Sequence, residues 1–247
     1  MASNSTYSFF RISKTTGIES SAQKYRELRL KALQTSPGSF SSTYEIEAAF
    51  TDDEWIDLLG SAWRPYLHHH LCFCRLLLYQ DRLTVPDREV FICAATPIDP
   101  SQDTQWVGQV TLRGPASSAD FELPAEADQP PQRSDEEEER WQMLSLFTLP
   151  EYRGHGLGSK LCQASIEYLR SYKSSPRDIQ VRLIVKAGND VTVELYRRLG
   201  FVHAGRATLV EALIANGDEH LIPRDQNSVM YTQRQGLIMI SRISRSV

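Results

Sequence analysis

Residues 150–160 read Pro150-Glu151-Tyr152-Arg153-Gly154-His155-Gly156-Leu157-Gly158-Ser159-Lys160, between an apolar strand-like run and a long amphipathic stretch. Alternating glycines permit left-handed turns, so successive backbone N–H groups converge on one concavity. A helix that follows adds its unpaired N–H groups and the positive end of its dipole at the same point. Arg153 offers a charge-assisted contact. The stretch therefore predicts a polyanion cradle, best suited to a pyrophosphate. Two other phosphate patterns compete. A P-loop needs glycine at the sixth position, but counting from Gly154 that position is Ser159. A dinucleotide fingerprint accepts Gly154 and Gly156 but also finds Ser159 where its third glycine belongs. Asp178 does lie about 20 residues on, as that fingerprint asks. Pro150 and Arg153 have no role in it, and the long N-terminal half argues against it.

Working outward, Trp141–Leu149 reads as a strand and 156–172 as an amphipathic helix carrying Leu157, Leu161, Ala164, Ile166 and Leu169. Ile179–Val185 alternates as a strand, Asp190–Leu199 as a helix closed by Gly200, and 201–204 begins another strand. Upstream, 7–12 predicts a first strand and 20–33 a helix. Thr43–Leu59 predicts one or two helices, the second starting at Thr51 or Asp52. Glu89–Ala95 and Trp106–Leu112 predict a hairpin. Residues 227–233 are read as the last strand. Segment 61–87 has no clean period. Segment 114–139, rich in proline and acid, is expected to be a disordered or mobile loop. The order implies an α+β fold with a mainly antiparallel sheet around one strand–helix–strand unit.

Composition limits the function classes. Of 247 residues 41% are apolar and 23% charged, which supports a packed core in one domain. The net charge of -4 gives no footprint for nucleic acid. It is unevenly spread: segment 114–139 holds nine acidic side chains against one basic, Arg133, leaving a mildly basic remainder. Four cysteines make no disulfide framework. Cys72 and Cys74 lack a zinc-spaced partner pair, and adjacent His68, His69 and His70 cannot all aim at one metal, so no metal is expected. No window approaches a membrane span, and the N-terminus lacks a signal core, so a soluble protein of the cytoplasm or nucleus is expected.

Arg153 to Gly158 match R-G-x-G-[LI]-G at every fixed position, preceded by P-E-Y. This resembles the acetyl-coenzyme A turn of the GNAT N-acetyltransferase superfamily. A second stretch, IQVRLIVKAGNDVTVELYRRLGF over 179–201, resembles that family's other coenzyme segment: a strand, an asparagine, and a helix ending L-Y-x-x-L-G-F. The resemblance is tight over 141–204 and holds by pattern only over 7–60, 89–113 and 227–233. It implies one acetyltransferase domain over 1–247, with 61–87 and 114–139 as insertions. It also implies a GNAT-like mixed sheet flanked by helices, with strands 141–149 and 179–185 splayed to form the coenzyme cleft.

The resemblance assigns roles by position. Leu146, Phe147 and Thr148 would pair with the pantetheine arm, and one N–H near them would polarise the thioester carbonyl. Arg153, Gly154, His155, Gly156, Leu157, Gly158 and Ser159 would hold the pyrophosphate. His155, as the variable residue of the turn, also reads as an exposed loop side chain. Asn189 falls on the family's asparagine and would contact pantetheine; it also reads as a helix cap. Tyr196, seven residues on, would protonate the leaving thiolate, or else is a core tyrosine. Cys162 reads as packed core. The base is open. Some relatives carry glutamate five residues before the asparagine, where this chain has Ile184. Glu136–Glu139 stand before strand 141–149 and would meet a cationic substrate, feed a water chain, or form a solvated run. The implied activity is acetyl transfer from acetyl-coenzyme A, the only cosubstrate, to a small-molecule or peptide amine by direct attack. The implied enzyme is a monomer or homodimer without nucleic-acid or membrane partners. The alternative is a non-catalytic acyl-coenzyme A binding module of the same fold.

Overall fold

The computed structural model describes residues 5–40, 42–59, 88–226 and 228–245. The reading of 61–87 as an insertion, with its histidines and Cys72 and Cys74, lies outside the described residues. The chain begins with strand β1 (Ser5–Arg11) and helix α1 (Ile18–Thr35). On α1, Ala22, Tyr25, Leu28, Arg29, Ala32 and Leu33 recur at helical spacing and are buried. Two short helices follow, α2 (Tyr44–Ala48) and α3 (Asp52–Leu58). Thr51 caps α3 in a reciprocal box with Glu54, as the Thr51-Asp52 signal implied.

Strands β2 (Arg88–Pro97) and β3 (Gln105–Ala116) form the expected hairpin. After a one-turn helix, α4 (Ser118–Phe121), come β4 (Glu138–Thr148), α5 (Leu157–Ser171), β5 (Asp178–Lys186) and α6 (Asp190–Arg198). Strand β6 (Val202–Ala207), helices α7 (Leu209–Asn216) and α8 (Val229–Thr232), and strand β7 (Gly236–Ser244) complete the chain. One seven-stranded sheet runs β1-β2-β3-β4-β5-β7-β6, antiparallel throughout except between β4 and β5. Helix α5 buries Leu157, Leu161, Cys162, Ile166 and Leu169 against this sheet. Each large apolar side chain is worth about 1.5–3 kcal/mol of burial. Gly108 of β3 leaves room for this helix: a Cβ there would stand 3.1 Å from Leu161.

Two expectations are corrected. The expected last strand, 227–233, is not one over 228–233; α8 lies there, and β7 follows it, while residue 227 lies outside the described residues. The segment NSVMYTQ alternates over too few residues to compete with GLIMISRIS, which pairs with β5 at nine positions and buries Ile238, Met239 and Ile240. Segment 114–139 is not a loose loop. Phe121, Leu123 and Ala127 are buried, and the backbone of Ala127 and Asp128 lies so close to Gly205 of β6 that a Cβ there would collide with it. Its anchors come from neighbouring strands. Arg140, fully buried on β4, donates to Gln132 Oε1 (3.1 Å), Asp135 Oδ1 (2.7 Å) and the carbonyl of Arg133. Arg182, on β5, donates to the Phe121 carbonyl (2.5 Å) and Gln129 Oε1 (2.7 Å), with its guanidinium 3.7 Å from the Phe121 ring centre.

Arg140→Met removes the Arg140 donors from the segment and leaves those of Arg182 in place. Chemical denaturation is expected to show a loss of about 2–4 kcal/mol, and limited proteolysis to cut within 118–137. Unchanged stability and an uncut segment would contradict the anchoring role.

Candidate functional site

The site grows from the place where two neighbouring strands stop pairing. Strands β4 and β5 are in parallel register from Glu138 opposite Asp178 to Gln142 opposite Arg182, and no further. Beyond that rung β4 stays with β3, while β5 stays with β7 as far as Lys186 opposite Gly236. A slot therefore opens between Met143–Thr148 and Leu183–Lys186, and alternate backbone groups on each wall have no strand partner. A bulge marks its start. Two steps along β3, from Gln109 to Thr111, face three along β4, from Phe147 to Leu144. Within that stretch Ser145 takes φ 55°, a left-handed conformation that L residues other than Asn and Asp rarely adopt. One extra residue bends and twists a strand locally, which turns β4 away from β5. Leu146, Phe147 and Thr148 follow the bulge and form the β4 wall.

The glycine turn closes one end of this wall. Gly154 (φ 82°) and Gly156 (φ 72°) are left-handed with open space around them, so conformation alone explains both glycines. Gly156 is the cap residue of α5 and supplies no side-chain hydrogen bond. The first helical bond runs from Lys160 N–H to the Gly156 carbonyl, so the N–H groups of Leu157, Gly158 and Ser159 are free of intrahelical partners. Gly158 is a close-approach glycine, since a Cβ there would stand 3.3 Å from Leu195 of α6 and 4.0 Å from Leu146 of β4. Strand wall, turn and α6 thus meet at one point. Arg153 Nε donates to the Thr148 carbonyl (3.1 Å) and its Nη2 to Ser36 Oγ (3.1 Å), so it ties turn, strand and the end of α1 together. His155 is exposed, nearly parallel to the Tyr7 ring at 6.5 Å.

Asn189 occupies the cap position of α6 but makes no side-chain cap hydrogen bond; its backbone carbonyl accepts from Thr192 and Val193 instead. The amide of this exposed residue is therefore not used as a cap. Tyr196 is buried on α6, its ring edge-on to Phe201 at 5.6 Å, with no hydrogen-bond partner for its hydroxyl among the described residues. Burial, and then the neighbouring Cys162 thiol, hold its pKa well above the usual phenol value. Cys162 is buried too, and burial pushes its thiol up to about 12, which makes it a poor nucleophile.

Glu139 does not reach this site. It sits on the paired rungs, opposite Ile179, beyond the closed end of the slot. Its carboxylate accepts from Trp141 Nε1 (2.6 Å), Tyr172 Oη (2.5 Å) and Arg245 Nη2 (2.7 Å) and pairs with Lys173. Burial alone would raise its pKa, but the hydrogen bonds from Lys173, Tyr172 and Trp141, with the Arg245 charge, bring it below the usual carboxylate value. Such a group holds no proton at neutral pH and is a structural hub. Glu138 is likewise buried, bonded to Arg242 (2.9 Å), while Glu136 and Glu137 are exposed. Among the described residues no group of three or more His, Cys, Asp and Glu is placed to hold a metal, and no helix is long and apolar enough to cross a membrane.

Sequence reasoning passed over the polar face beside the bulge. Gln109, Thr111, Gln142 and Arg182 are all buried there. Their signal was present as polar residues alternating inside the apolar strands WVGQVTL, WQMLSLFTL and IQVRLIV. They are buried because α1, α7 and segment 118–137 cover that side, which the strand pattern alone does not show.

The model of the Acetyltransferase (GNAT) family matches residues 53–201. The chain belongs to the GNAT acetyltransferase family. No curated protein matches the sequence significantly. Solved GNAT structures share the fold. One is the acetyltransferase of GNAT family from Streptococcus pneumoniae, 14% identical, with a TM-score of 0.52, covering 97% of this chain and 100% of that one. Another is the ribosomal-protein-S5-alanine acetyltransferase from Vibrio fischeri, 12% identical, with a TM-score of 0.51, covering 97% and 93%. The GNAT match runs through the bulged strand, the glycine turn and α6, and ends at Phe201, directly after α6.

Since Glu139 has a lowered pKa, its contribution to stability is present above the unfolded glutamate value of about 4.3 and is lost as pH falls through the folded value. Glu139→Gln is expected to be less stable than the native chain by about 2–4 kcal/mol at neutral pH. The gap should narrow as pH drops below about 4. A gap independent of pH, measured by denaturation across that range, would contradict the hub assignment.

Proposed function

We propose that this protein transfers an acetyl group from acetyl-coenzyme A to a primary amine by direct attack. The observation that carries the reading is the parting of β4 from β5 beside the uncapped start of α5. A slot with unpaired backbone edges suits an extended amide-bearing arm. A helix start with free N–H groups suits a pyrophosphate. Backbone groups of Leu146, Phe147 and Thr148 would pair with pantetheine, and the N–H groups from Gly154 to Ser159 would hold the phosphates. Asn189 would give its free amide to pantetheine. Arg153 would act chiefly by holding the turn against Thr148, and His155 would line its rim.

In the reaction the amine nitrogen bonds to the thioester carbon while an N–H in the bulge stabilises the developing oxyanion. The carbon–sulfur bond then breaks, and Tyr196 hands its proton to the departing thiolate as the general acid. A phenol with a raised pKa holds its proton at neutral pH, so the proton is in place when the thiolate leaves, while the same burial makes the phenol a weaker acid. The phenolate regains its proton from the ammonium of the adduct, which balances the cycle. The acceptor is a small-molecule or peptide amine; neither Met143–Thr148 nor Leu183–Lys186 carries a carboxylate, so on these two walls its free-base form would be reached through solvent or its own lowered pKa. That same lack of a base supports the second reading, a non-catalytic acyl-coenzyme A binding module.

Acetyl-coenzyme A at saturation is expected to raise the melting temperature, and no shift would contradict both readings. Coenzyme A release over a panel of polyamines, amino acids and peptide N-termini separates them. Turnover is expected with at least one amine, and none would favour the binding module. Tyr196→Phe is expected to lower kcat by about 100-fold or more with acetyl-coenzyme A affinity unchanged. Unchanged kcat would remove the general-acid role. Asn189→Ala is expected to weaken coenzyme binding by about 3- to 10-fold, and unaltered affinity would remove its contact.

A further inference from the structure

Ser145 is held in a backbone conformation that its side chain resists, and it is held there at the bulge that starts the slot. A strained residue persists only where its surroundings hold it. Among the described residues the side chain brought to the Ser145 carbonyl is that of Gln109, on the neighbouring strand, whose Nε2 donates to it across 3.4 Å. Gln109 is fully buried. The hydroxyl of Tyr25, a buried residue of α1, lies beside this amide, and its Oε1 has no hydrogen-bond partner among the described residues. Leaving an amide oxygen buried and unpaired costs stability, and a methionine or leucine would fill the same space without that cost. The amide is therefore retained for what its nitrogen does.

We propose that Gln109 is a positioning residue for acyl transfer: buried beside the bulge, it holds the Ser145 carbonyl so that the bulge presents its N–H to the thioester oxygen. Gln109 touches neither reactant; it acts through the backbone of β4. The proposal rests on the coenzyme reading above, and it concerns the acetyl carbonyl alone. Coenzyme A lacks that carbonyl, so the two compounds separate the bulge from the rest of the cleft.

The test is calorimetric titration of the full chain with acetyl-coenzyme A and with coenzyme A. The native protein is expected to bind the acetylated form more tightly. Gln109→Met is expected to lose about 3- to 10-fold in affinity for acetyl-coenzyme A, with coenzyme A affinity unchanged. Glycine adopts φ 55° without resistance, so Ser145→Gly added to Gln109→Met is expected to restore part of the preference. A role in packing alone would not be rescued in this way. If Gln109→Met folds poorly, Gln109→Leu, which also removes the amide nitrogen, is expected to weaken the preference as well. A preference that survives in each variant that folds, or a double variant with no recovery, would overturn the proposal. Failure of the native protein to bind either compound would instead overturn the coenzyme reading on which it rests.

Discussion

The rung at which Gln142 stands opposite Arg182 is the last at which β4 and β5 share hydrogen bonds. Parallel strands normally continue in register as long as both remain extended, so a pair that stops half-way needs a cause. The cause is one extra residue in β4, centred on Ser145, which bends that strand toward β3. Each later feature of the site depends on this parting. The slot exists because the strands separate. The glycine turn stands at the end of the β4 wall because β4 runs into it. Helix α6 reaches Gly158 because β5 delivers it from the other wall.

The same rung divides the protein electrostatically. On the closed side, charges are buried and matched. Glu139 is held by Lys173 and Arg245, and Glu138 by Arg242. Arg140 reaches across to segment 118–137. At the rung itself Arg182 has no carboxylate within ion-pair distance among the described residues. It is held by the Phe121 carbonyl, two glutamine oxygens and the Phe121 ring. Burial, with Arg113 nearby, pushes its pKa down to about 9. The acidity of 114–139 thus serves two purposes. Some of its polar groups answer arginines on the sheet, and others, such as Glu122 and Glu136, remain in solvent. A reading of this acidity as bait for a cationic acceptor loses its main support, since Glu138 and Glu139 are already spent on internal partners.

Much of this was legible in the residues, and the failures share a reason. The turn, the helix after it and the L-Y-x-x-L-G-F helix were readable because local backbone chemistry dictates them. Glycine is demanded at φ 82° and 72°, and an amphipathic period is demanded of α5. The capping box of α3 was readable for the same reason. Helix α7 carried a similar box, Thr208 with Glu211, and a closing glycine at 217, but its neighbours drew no attention. What could not be read was long-range pairing. Segment 114–139 looked disordered because its anchors, Arg140 and Arg182, lie in strands that looked like ordinary core. Glu139 looked available because Lys173 and Arg245 are 34 and 106 residues away in sequence. Gln109 and Tyr25, on β3 and α1, are joined only by tertiary packing.

The central claim is that the parted strands and the glycine turn together form a coenzyme cleft. Native-state amide hydrogen exchange with and without acetyl-coenzyme A tests it most directly. The account expects new protection at Leu146–Thr148 and at Leu157–Ser159, where N–H groups face the slot or the cradle. It expects little change at 138–142, which is already paired with β5. Equal exchange at both wall and turn, with and without saturating acetyl-coenzyme A, would contradict it.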